Sequence, residues 1–397
     1  MKKVLATVLA LVMALALCSV SWATESELPT EENGVIKLTG NVTLTARWEV
    51  AADKEITLDL NGYSITSAGQ VIMNNGKLTI TDNKGGGKIV STGSQAIGVG
   101  SNSVTNIQKA IVESVEGAVI TGYATGATIN IYDGTFSASD NAVIAGNGKS
   151  REGTGNTINI SGGVFNGKIT TPGYVACGIY APWKDNINVT GGTFNITGGA
   201  GIVARAGNVT VTNAVFNTTG NATGKVGDSR VVVPCSAIVF DSQANYPAMN
   251  NDSVIHVVSG KFNSEMNAVS MIKNDNETDR VAVTGGTFST DVTEYLAEGK
   301  ILQKNGDTYT AVTNSAITSG TYTSEPTVPS GYKATKNDDG TWTVSKVSYY
   351  YYHPTTDTKT TDTKGSPKTF DAGVGIYAVT AVLSVTGMAW TAKKRGN

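Results

Sequence analysis

The sequence contains few histidines and few charged residues, and it has no long helical pattern. Only 2 of its 397 residues are histidines, His256 and His353, which argues against a histidine-based metal centre or catalytic triad. The body carries no block of basic residues, so nucleic-acid binding is not expected. Glycine, asparagine, threonine and valine are abundant instead, a balance typical of an all-β protein with many turns. We predict no metal and no other cofactor.

The two ends of the sequence predict export and anchoring. Residues 1–23 begin with a charged start, continue with an apolar stretch and end in Ser21-Trp22-Ala23, as a cleavable signal peptide does. Residues 372–392 carry no charge and are followed by a basic tail at residues 393–397. A helix of that length crosses a bilayer core of about 30 Å, and the basic tail would stay in the cytoplasm.

A short motif, Ser366-Pro367-Lys368-Thr369-Phe370, precedes the apolar stretch and occupies residues 366–371 together with the aspartate after it. With the leader, the threonine-rich linker and the basic tail, it resembles the sorting signal of sortase-anchored surface proteins of Gram-positive bacteria, including gut-dwelling Clostridia. The usual signal is Leu-Pro-x-Thr-Gly. Pro367 and Thr369 match it, whereas Ser366 and Phe370 replace the leucine and the glycine. The resemblance implies that sortase and peptidoglycan are partners and that the body is extracellular, joined to the cell wall at Thr369 or held in the plasma membrane by the tail.

The body repeats an alternating strand, two small turn residues, a variable residue and a phenylalanine. Ile129 to Phe136, Ile158 to Phe165 and Ile187 to Phe194 are consecutive copies. Repeats of about 20–50 residues indicate a solenoid, and the period of two makes it a β-solenoid. We predict a right-handed parallel β-helix, similar in architecture to pectate lyases, because a β-sandwich would not repeat one unit in register. The phenylalanines are predicted to form a core column: Phe136, Phe165, Phe194, Phe216, Phe262 and Phe288.

A second strand in each turn carries a small-small-apolar triplet, which places the cysteines. The triplets include Asn141-Ala142-Val143, Cys177-Gly178-Ile179, Ala200-Gly201-Ile202 and Ser236-Ala237-Ile238. Cys235 lies one residue before the triplet that is two turns beyond Cys177. At about 4.8 Å per turn this separation exceeds the Cα distance of a disulfide. We therefore predict two free thiols.

The remaining boundaries follow from breaks in the repeat. Residues 24–90, which include Leu58-Asp59-Leu60-Asn61-Gly62, are predicted to form an N-terminal cap and the first turns. Residues 91–290 form the regular turns, and residues 291–345 form small β modules with Asx-Gly hairpins that cap the C-terminal end. Residues 346–365 read as a linker that spans the cell wall.

No catalytic residue is predicted. Asp82 and Asp133 share one repeat slot two turns apart, with no basic residue recognised beside them, and turn aspartates are common for backbone reasons. We expect that replacing either leaves the fold and glycan binding almost unchanged. Because β-helix lyases and hydrolases need clustered carboxylates with a base, a surface-anchored polysaccharide lyase or glycoside hydrolase remains only the alternative function.

Two surface features point to binding. Asn130, Asn159 and Asn188 share an outward slot and form either an amide ladder that stabilises the sheet or a ligand face. Tyr174, Tyr180 and Trp183 form an aromatic cluster suited to contact with a sugar ring or a protein. The insertion from Asn221 to Asp252 is another candidate. The function predicted from the sequence is that of an adhesin or binding module on a rigid rod, with a glycan or a host protein such as mucin as ligand, or of an inert spacer.

Overall fold

The computed structural model describes residues 26–122, 124–139, 141–146, 155–182, 184–227, 232–241, 254–273 and 280–348. The predicted signal peptide, sorting motif and apolar C-terminal span lie outside these residues. Within the described part of the chain, no helix is long and apolar enough to cross a membrane. The described residues from 26 to 347 belong to one compact unit.

The structure is almost entirely β, and its short strands follow one another in a repeated order. The first twelve are β1 (Val35–Lys37), β2 (Val42–Leu44), β3 (Trp48–Val50), β4 (Glu55–Asp59), β5 (Ser64–Ser67), β6 (Ile72–Asn74), β7 (Lys77–Thr81), β8 (Lys88–Ser91), β9 (Gln95–Val99), β10 (Val104–Ile107), β11 (Ile111–Ser114) and β12 (Gly117–Gly122). The next eleven are β13 (Thr128–Ile131), β14 (Thr135–Ser139), β15 (Ala142–Gly146), β16 (Thr157–Ile160), β17 (Val164–Lys168), β18 (Ala176–Ala181), β19 (Asn186–Val189), β20 (Thr193–Thr197), β21 (Gly199–Ala204), β22 (Asn208–Val211) and β23 (Ala214–Thr219). The last are β24 (Thr223–Lys225), β25 (Val232–Pro234), β26 (Ile238–Asp241), β27 (Val254–Val257), β28 (Gly260–Ser264), β29 (Val269–Ile272), β30 (Val281–Val283), β31 (Thr287–Phe288), a 3₁₀ helix (Thr293–Tyr295), β32 (Lys300–Asn305), β33 (Thr308–Thr313), β34 (Gly320–Tyr322), β35 (Tyr332–Lys336) and β36 (Trp342–Lys346).

These strands build three parallel sheets that wind around one core. The first sheet contains β1, β4, β7, β10, β13, β16, β19, β22, β27 and β30. The second contains β2, β5, β8, β11, β14, β17, β20, β23, β28 and β31, and the third contains β3, β6, β9, β12, β15, β18, β21, β26 and β29. Each turn adds one strand to every sheet, which gives a right-handed solenoid of about nine turns. The predicted parallel β-helix is confirmed.

The core of the solenoid is built from columns of identical or similar side chains. Ile129, Ile158 and Ile187 pair in register across three turns of the first sheet and are buried. In the second sheet the six phenylalanines pair in the same way and are fully buried. Neighbouring rings are stacked with centroids 4.4–5.4 Å apart. Alternation of side chains along each strand produces this order, since every second residue faces the interior.

The glycine pairs before the phenylalanines are required by the corner between the first and second sheets. A Cβ on Gly162 would lie 2.4 Å from the carbonyl oxygen of Tyr132 in the preceding turn. Gly163 has a φ of 98° and Gly192 has a φ of 94°, in the left-handed region that glycine adopts without strain. The corner therefore depends on both glycines of the pair.

The triplet register predicted for one turn of the third sheet is wrong by one residue. Ala142 pairs with Cys177, and Ile144, not Val143, pairs with Ile179. Both Val143 and Ile144 are buried, so the apolar pattern alone does not distinguish the two alignments.

The C-terminal strands extend the second sheet in an antiparallel manner. The order continues from β31 through β33, β32, β34, β36 and β35, with hairpins between β32 and β33 and between β35 and β36. Val292, Tyr295 and Leu302 join the main core at the last turn, while Ile301, Ile317 and Tyr322 belong to a small separate core. The end of the phenylalanine column is covered in this way.

Candidate functional site

A hairpin inserted between β23 and β26 reaches back over the side of the solenoid. Its strands β24 and β25 are antiparallel. Lys225 in β24 donates its backbone N–H to Gly173 and accepts one from Val175. A Cβ on Gly227 would lie 2.7 Å from Asn141 Oδ1. The hairpin therefore leaves the turn of β23 and contacts the turns of β17 and β14, which precede it in the chain.

The hairpin covers a second apolar cluster, on the outer side of the third sheet. Val226 and Val233 of the insertion pack there with Val175, Cys177 and Cys235, together with outward residues of β15, β18 and β21. Both cysteines are buried and free, as predicted. Burial raises the pKa of the Cys177 thiol far above its usual range, and it also raises the pKa of the Cys235 thiol. A raised pKa favours the neutral thiol over the thiolate, which is the nucleophilic form.

A groove of about 340 Å³ lies where the hairpin meets the loops between the second and third sheets. It is lined by side chains from three successive turns and by the end of the hairpin: Val115, Glu116, Ser139, Asn141, Thr171, Tyr174 and Gly227. Asn141 Oδ1 accepts the backbone N–H of Ala142 at 2.8 Å, and Glu116 Oε2 accepts the hydroxyl of Ser94 at 3.1 Å. Glu116 is exposed and Tyr174 is half-buried. The groove thus combines an aromatic ring, an amide, two hydroxyls and one carboxylate.

The structure separates two of the three aromatic residues that the sequence grouped together. Tyr174 lines the groove, but Tyr180 is only 9% exposed on the outer side of the third sheet. The hydroxyl of Tyr180 accepts a hydrogen bond of 2.9 Å from Arg205 Nη1, and Arg205 Nε lies 3.1 Å from Asp241 Oδ2. Tyr180 belongs to this buried polar cluster, so it is not a surface contact. Trp183 lies outside the described residues.

The aspartate slot differs from the sequence interpretation in two respects. The first sheet pairs Ile107 with Ile80 and with Ile131, and this register, continued by two residues beyond the strands, aligns Lys109 with Asp82 and Asp133. Asp82 is buried, however, and its two carboxylate oxygens accept the backbone N–H groups of Gly62 and Gly87 at 2.7 and 2.6 Å. Asp82 is therefore fully engaged in hydrogen bonds to the backbone. Asp133 and Lys109, in contrast, are exposed to solvent. No salt bridge within 4.0 Å joins Lys109 to either aspartate, all three being described residues.

The nearby Leu-Asp-Leu-Asn-Gly element is held by the same kind of bonding. Asp59 accepts the backbone N–H of Asn61 at 2.9 Å and the side chain of Asn83 at 3.0 Å, and Asn61 donates to the carbonyl of Leu38 at 2.8 Å. Burial raises the pKa of Asp59, but the hydrogen bonds from Asn83 and Asn61 outweigh it and hold this pKa below its usual range. The carboxylates of Asp59 and Asp82 therefore stabilise turns, and each of their oxygens already accepts a hydrogen bond.

The predicted asparagine slot is an amide ladder. Asn130 Nδ2 donates to Asn106 Oδ1, Asn159 to Asn130 and Asn188 to Asn159, at 2.8, 2.8 and 2.9 Å. The second sheet has its own ladder, in which Asn195 donates to Asn166, Asn217 to Asn195 and Asn263 to Asn217. The sequence interpretation identified the first ladder and missed the second, although an asparagine follows four of the six phenylalanines of the column, at positions 166, 195, 217 and 263.

His256 and a groove at the N-terminal end do not form functional sites. His256 is exposed on the outward side of β27, and the described residues contain no group of three or more metal-ligating side chains. A larger groove of about 580 Å³ lies at the N-terminal end. Its apolar lining includes Ile36, Leu44 and Val50, which are core residues of the first turn, so it is the end of the solenoid interior.

Glu116, Ser139 and Asn141 were not predicted from the sequence as site residues. Their signal is weak, because each is a single polar residue at a corner and only the stacking of turns brings them together. No family model matches the chain, and no curated protein and no solved structure matches it either. The fold defines the chain as a parallel β-helix protein.

Proposed function

We propose that the β-helix is the binding module of an anchored cell-surface protein and that the groove at Tyr174 contacts a sugar. The observation that carries this proposal is the composition of the groove, in which one tyrosine ring is combined with amide, hydroxyl and carboxylate groups. Tyrosine offers an apolar face with a polar tip, and amides and carboxylates bind hydroxyl groups as donors and acceptors. A volume of about 340 Å³ lies near the lower end of ligand sites, which suits one sugar residue at the end of a glycan.

Three of the lining residues have defined roles in this proposal. The ring of Tyr174 packs against the apolar face of the sugar. Asn141 uses its Oδ1 to hold the start of β15, so its Nδ2 group is the donor that remains for a ligand. Glu116 accepts hydroxyl groups with its outer oxygen and adds the single negative charge among the described lining residues. The site therefore favours neutral or amino sugars over acidic ones, because an acidic sugar would be repelled by this carboxylate.

The localisation is part of the same proposal. The leader at residues 1–23 supports export, and the motif with Pro367 and Thr369 supports attachment by sortase to peptidoglycan. The apolar residues 372–392 would hold the protein in the plasma membrane before or instead of that step. The threonine-rich linker would place the groove away from the cell, within reach of glycans or host surface proteins.

A binding screen with the full chain tests the function. Wild-type protein is applied to neutral, amino and acidic glycans of mucin, plant and bacterial origin, and binding is compared with that of Tyr174→Ala and Glu116→Gln. The matched control is Tyr332→Ala, a half-buried tyrosine in the C-terminal module. We expect loss of binding in Tyr174→Ala alone among the tyrosine variants. Absence of binding to every glycan would leave the inert spacer, and equal loss in both tyrosine variants would place the contact elsewhere.

The alternative of a glycan-cleaving enzyme has one observation in its favour, the alignment of Lys109 with Asp82 and Asp133. Against it stands the use of both Asp82 oxygens by backbone N–H groups, because a catalytic acid or base needs an oxygen free to exchange a proton. The same screen includes an assay for cleavage. Cleavage by wild-type protein that disappears in Lys109→Ala or Asp133→Ala would replace the binding function by the enzymatic one.

A further inference from the structure

The outer face of the first sheet carries no carboxylate, lysine or arginine over six successive turns, and the titratable side chain on these six strands is His256, in the last of them. We call this surface the amide face; it consists of the outward side chains of β10, β13, β16, β19, β22 and β27. None of these strands contains an aspartate, glutamate, lysine or arginine. Charges resume in the earlier turns, where Glu55 and Lys77 form an ion pair. The second sheet differs, since Lys88 pairs with Glu113 and Lys168 and Lys261 follow in later strands.

The asparagine ladder leaves unused hydrogen-bonding groups along this face. A side-chain amide has two N–H groups and an oxygen with two lone pairs. In the ladder, Asn130 and Asn159 each donate once to the preceding rung and accept once from the following rung. One N–H and one lone pair of each amide have no other partner within the described part of the chain. Asn130 and Asn159 therefore each offer one donor and one acceptor, in adjacent turns about 4.8 Å apart.

This pattern of groups selects the chemistry of a ligand. A charged polymer would lose hydration without gaining a row of opposite charges, and nucleic acid would find no lysine or arginine on these strands for its phosphates. A hydroxyl group, in contrast, both donates and accepts, so a chain of neutral sugars carries complementary groups at every unit. Because the rungs are held by their neighbours, they lose little side-chain freedom when a ligand binds.

We propose that the amide face binds a neutral polysaccharide chain that lies along the axis of the solenoid. Repeated contacts with successive rungs add to one another, since each further contact is made within the same complex. This surface is on the first sheet, whereas Tyr174 lies on a loop between the second and third sheets, so the two sites are independent. The groove would bind a glycan end, and the amide face would bind the length of a chain.

The test compares the asparagine ladder of the amide face with the asparagine ladder of the second sheet, whose outer surface carries charged residues. Asn159→Ala with Asn188→Ala removes adjacent rungs from the amide face, and Asn195→Ala with Asn217→Ala removes adjacent rungs from the second sheet. Affinity electrophoresis of the full chain in hydroxyethylcellulose, galactomannan and polygalacturonate measures binding, and denaturation measures stability. We expect wild-type protein to be retarded by a neutral polymer and not by polygalacturonate. The first pair should bind at least about tenfold more weakly, whereas the second pair should bind as wild type does with a similar loss of stability.

A second pair of variants leaves both ladders intact. Thr128→Lys adds a charge to the amide face, and Thr135→Lys adds one to the corresponding half-buried position of the second sheet. Only Thr128→Lys should weaken retardation. The proposal would be overturned if retardation by the neutral polymers weakened equally in the two asparagine double variants and equally in the two lysine variants. It would also be overturned if neither neutral polymer retarded wild-type protein. Self-association of wild-type protein that Thr128→Lys abolishes, without an effect on retardation, would assign the face to a second copy of the chain. Loss of oligosaccharide binding in Tyr174→Ala with normal retardation would show that the two sites act separately.

Discussion

Phe165 and Phe194 lie in the middle of the phenylalanine column, where their ring centroids are 4.4 Å apart. We expect Phe194→Ala to lower the free energy of unfolding by about 3–5 kcal/mol, because it removes a fully buried ring and leaves a cavity between two others. Each turn is supported mainly by its neighbours, so protection from hydrogen exchange should fall in the adjacent turns first. Chemical denaturation and hydrogen exchange measure both effects. Val164→Ala, at an exposed position of the adjacent strand β17, is the control, and a loss as large as that of Phe194→Ala would contradict the column's role.

Asp82 and Asp133 occupy the same position of the repeat, but Asp82 is buried and Asp133 is exposed. Asp82→Ala should lower the free energy of unfolding by about 1–3 kcal/mol, because the N–H group of the buried Gly87 and that of Gly62 lose their acceptor. Asp133→Ala should change it by less than about 0.5 kcal/mol, since this aspartate is exposed. The sequence-based expectation that both changes are neutral is therefore corrected for Asp82. Denaturation of the two variants side by side decides the matter, and equal stabilities would refute the structural assignment.

Asp185 is a buried carboxylate, 1% exposed, whose Oδ1 accepts two hydrogen bonds from Asn156. Its Oδ2 has no hydrogen-bond partner among the described residues. Burial raises the pKa of Asp185, and the bonds from Asn156 offset this only in part. The folded state thus binds the proton more tightly than the unfolded state. Its contribution to stability is present below the ordinary aspartate pKa of about 3.9 and is lost as the pH rises through the raised pKa.

Asp185→Asn tests this linkage. The variant keeps the acceptor for Asn156 and removes the titration, so wild-type protein should lose stability relative to it as the pH rises from about 3 towards neutrality. Denaturation at a series of pH values measures the difference. Asp133→Asn, at an exposed position, should show no such trend. A difference between wild type and Asp185→Asn that stays constant with pH would contradict the assignment.

At the scale of elements, the inserted hairpin covers apolar residues on the outer side of the third sheet. Val233 is 1% exposed and packs in the cluster that contains Cys177, while its neighbour Val232 is 48% exposed. Val233→Ala should weaken the packing of the hairpin by about 1–2 kcal/mol and speed alkylation of Cys177 in the folded protein. Val232→Ala should leave the alkylation rate unchanged. Mass spectrometry of labelled protein follows each thiol.

The same labelling tests the state of the cysteines. In unfolded wild-type protein, Cys177 and Cys235 should both react without a reducing agent. A requirement for reductant would contradict the free thiols. A rate at Cys177 that does not respond to Val233→Ala would show that the hairpin is not its cover.

At the scale of the whole molecule, the tail predicts a covalent link to the cell wall. Protein released from the wall by a peptidoglycan hydrolase should end at Thr369 joined to a wall peptide, because Pro367 and Thr369 match the sorting signal. Thr369→Ala should move the protein to the membrane fraction. Mass spectrometry that recovers intact peptides across Thr369 and Phe370 from wall material would contradict the sortase step, although membrane anchoring by residues 372–392 would remain.

The alternation of apolar and polar residues predicts the repeat, because every turn of the solenoid places residues at the same positions in the core. The register of the phenylalanines, the isoleucines and the asparagines follows directly from their spacing, since parallel stacking places equal positions above one another. The pairing of Ala142 with Cys177, one residue away from the predicted register, shows where spacing alone fails. Where two adjacent residues are both apolar and both buried, the pattern cannot choose which of them continues a column.

The sequence by itself therefore determined the fold class, the columns of the core and the separation of the cysteines, all of which depend on contacts between equal positions of neighbouring turns. Only the tertiary structure decided the groove and the burial of Tyr180. The groove joins Glu116, Asn141 and Tyr174 from three turns under a hairpin from a later one, and Tyr180 is buried through contact with Arg205. Such contacts arise between unequal positions, and no repeat in the sequence marks them.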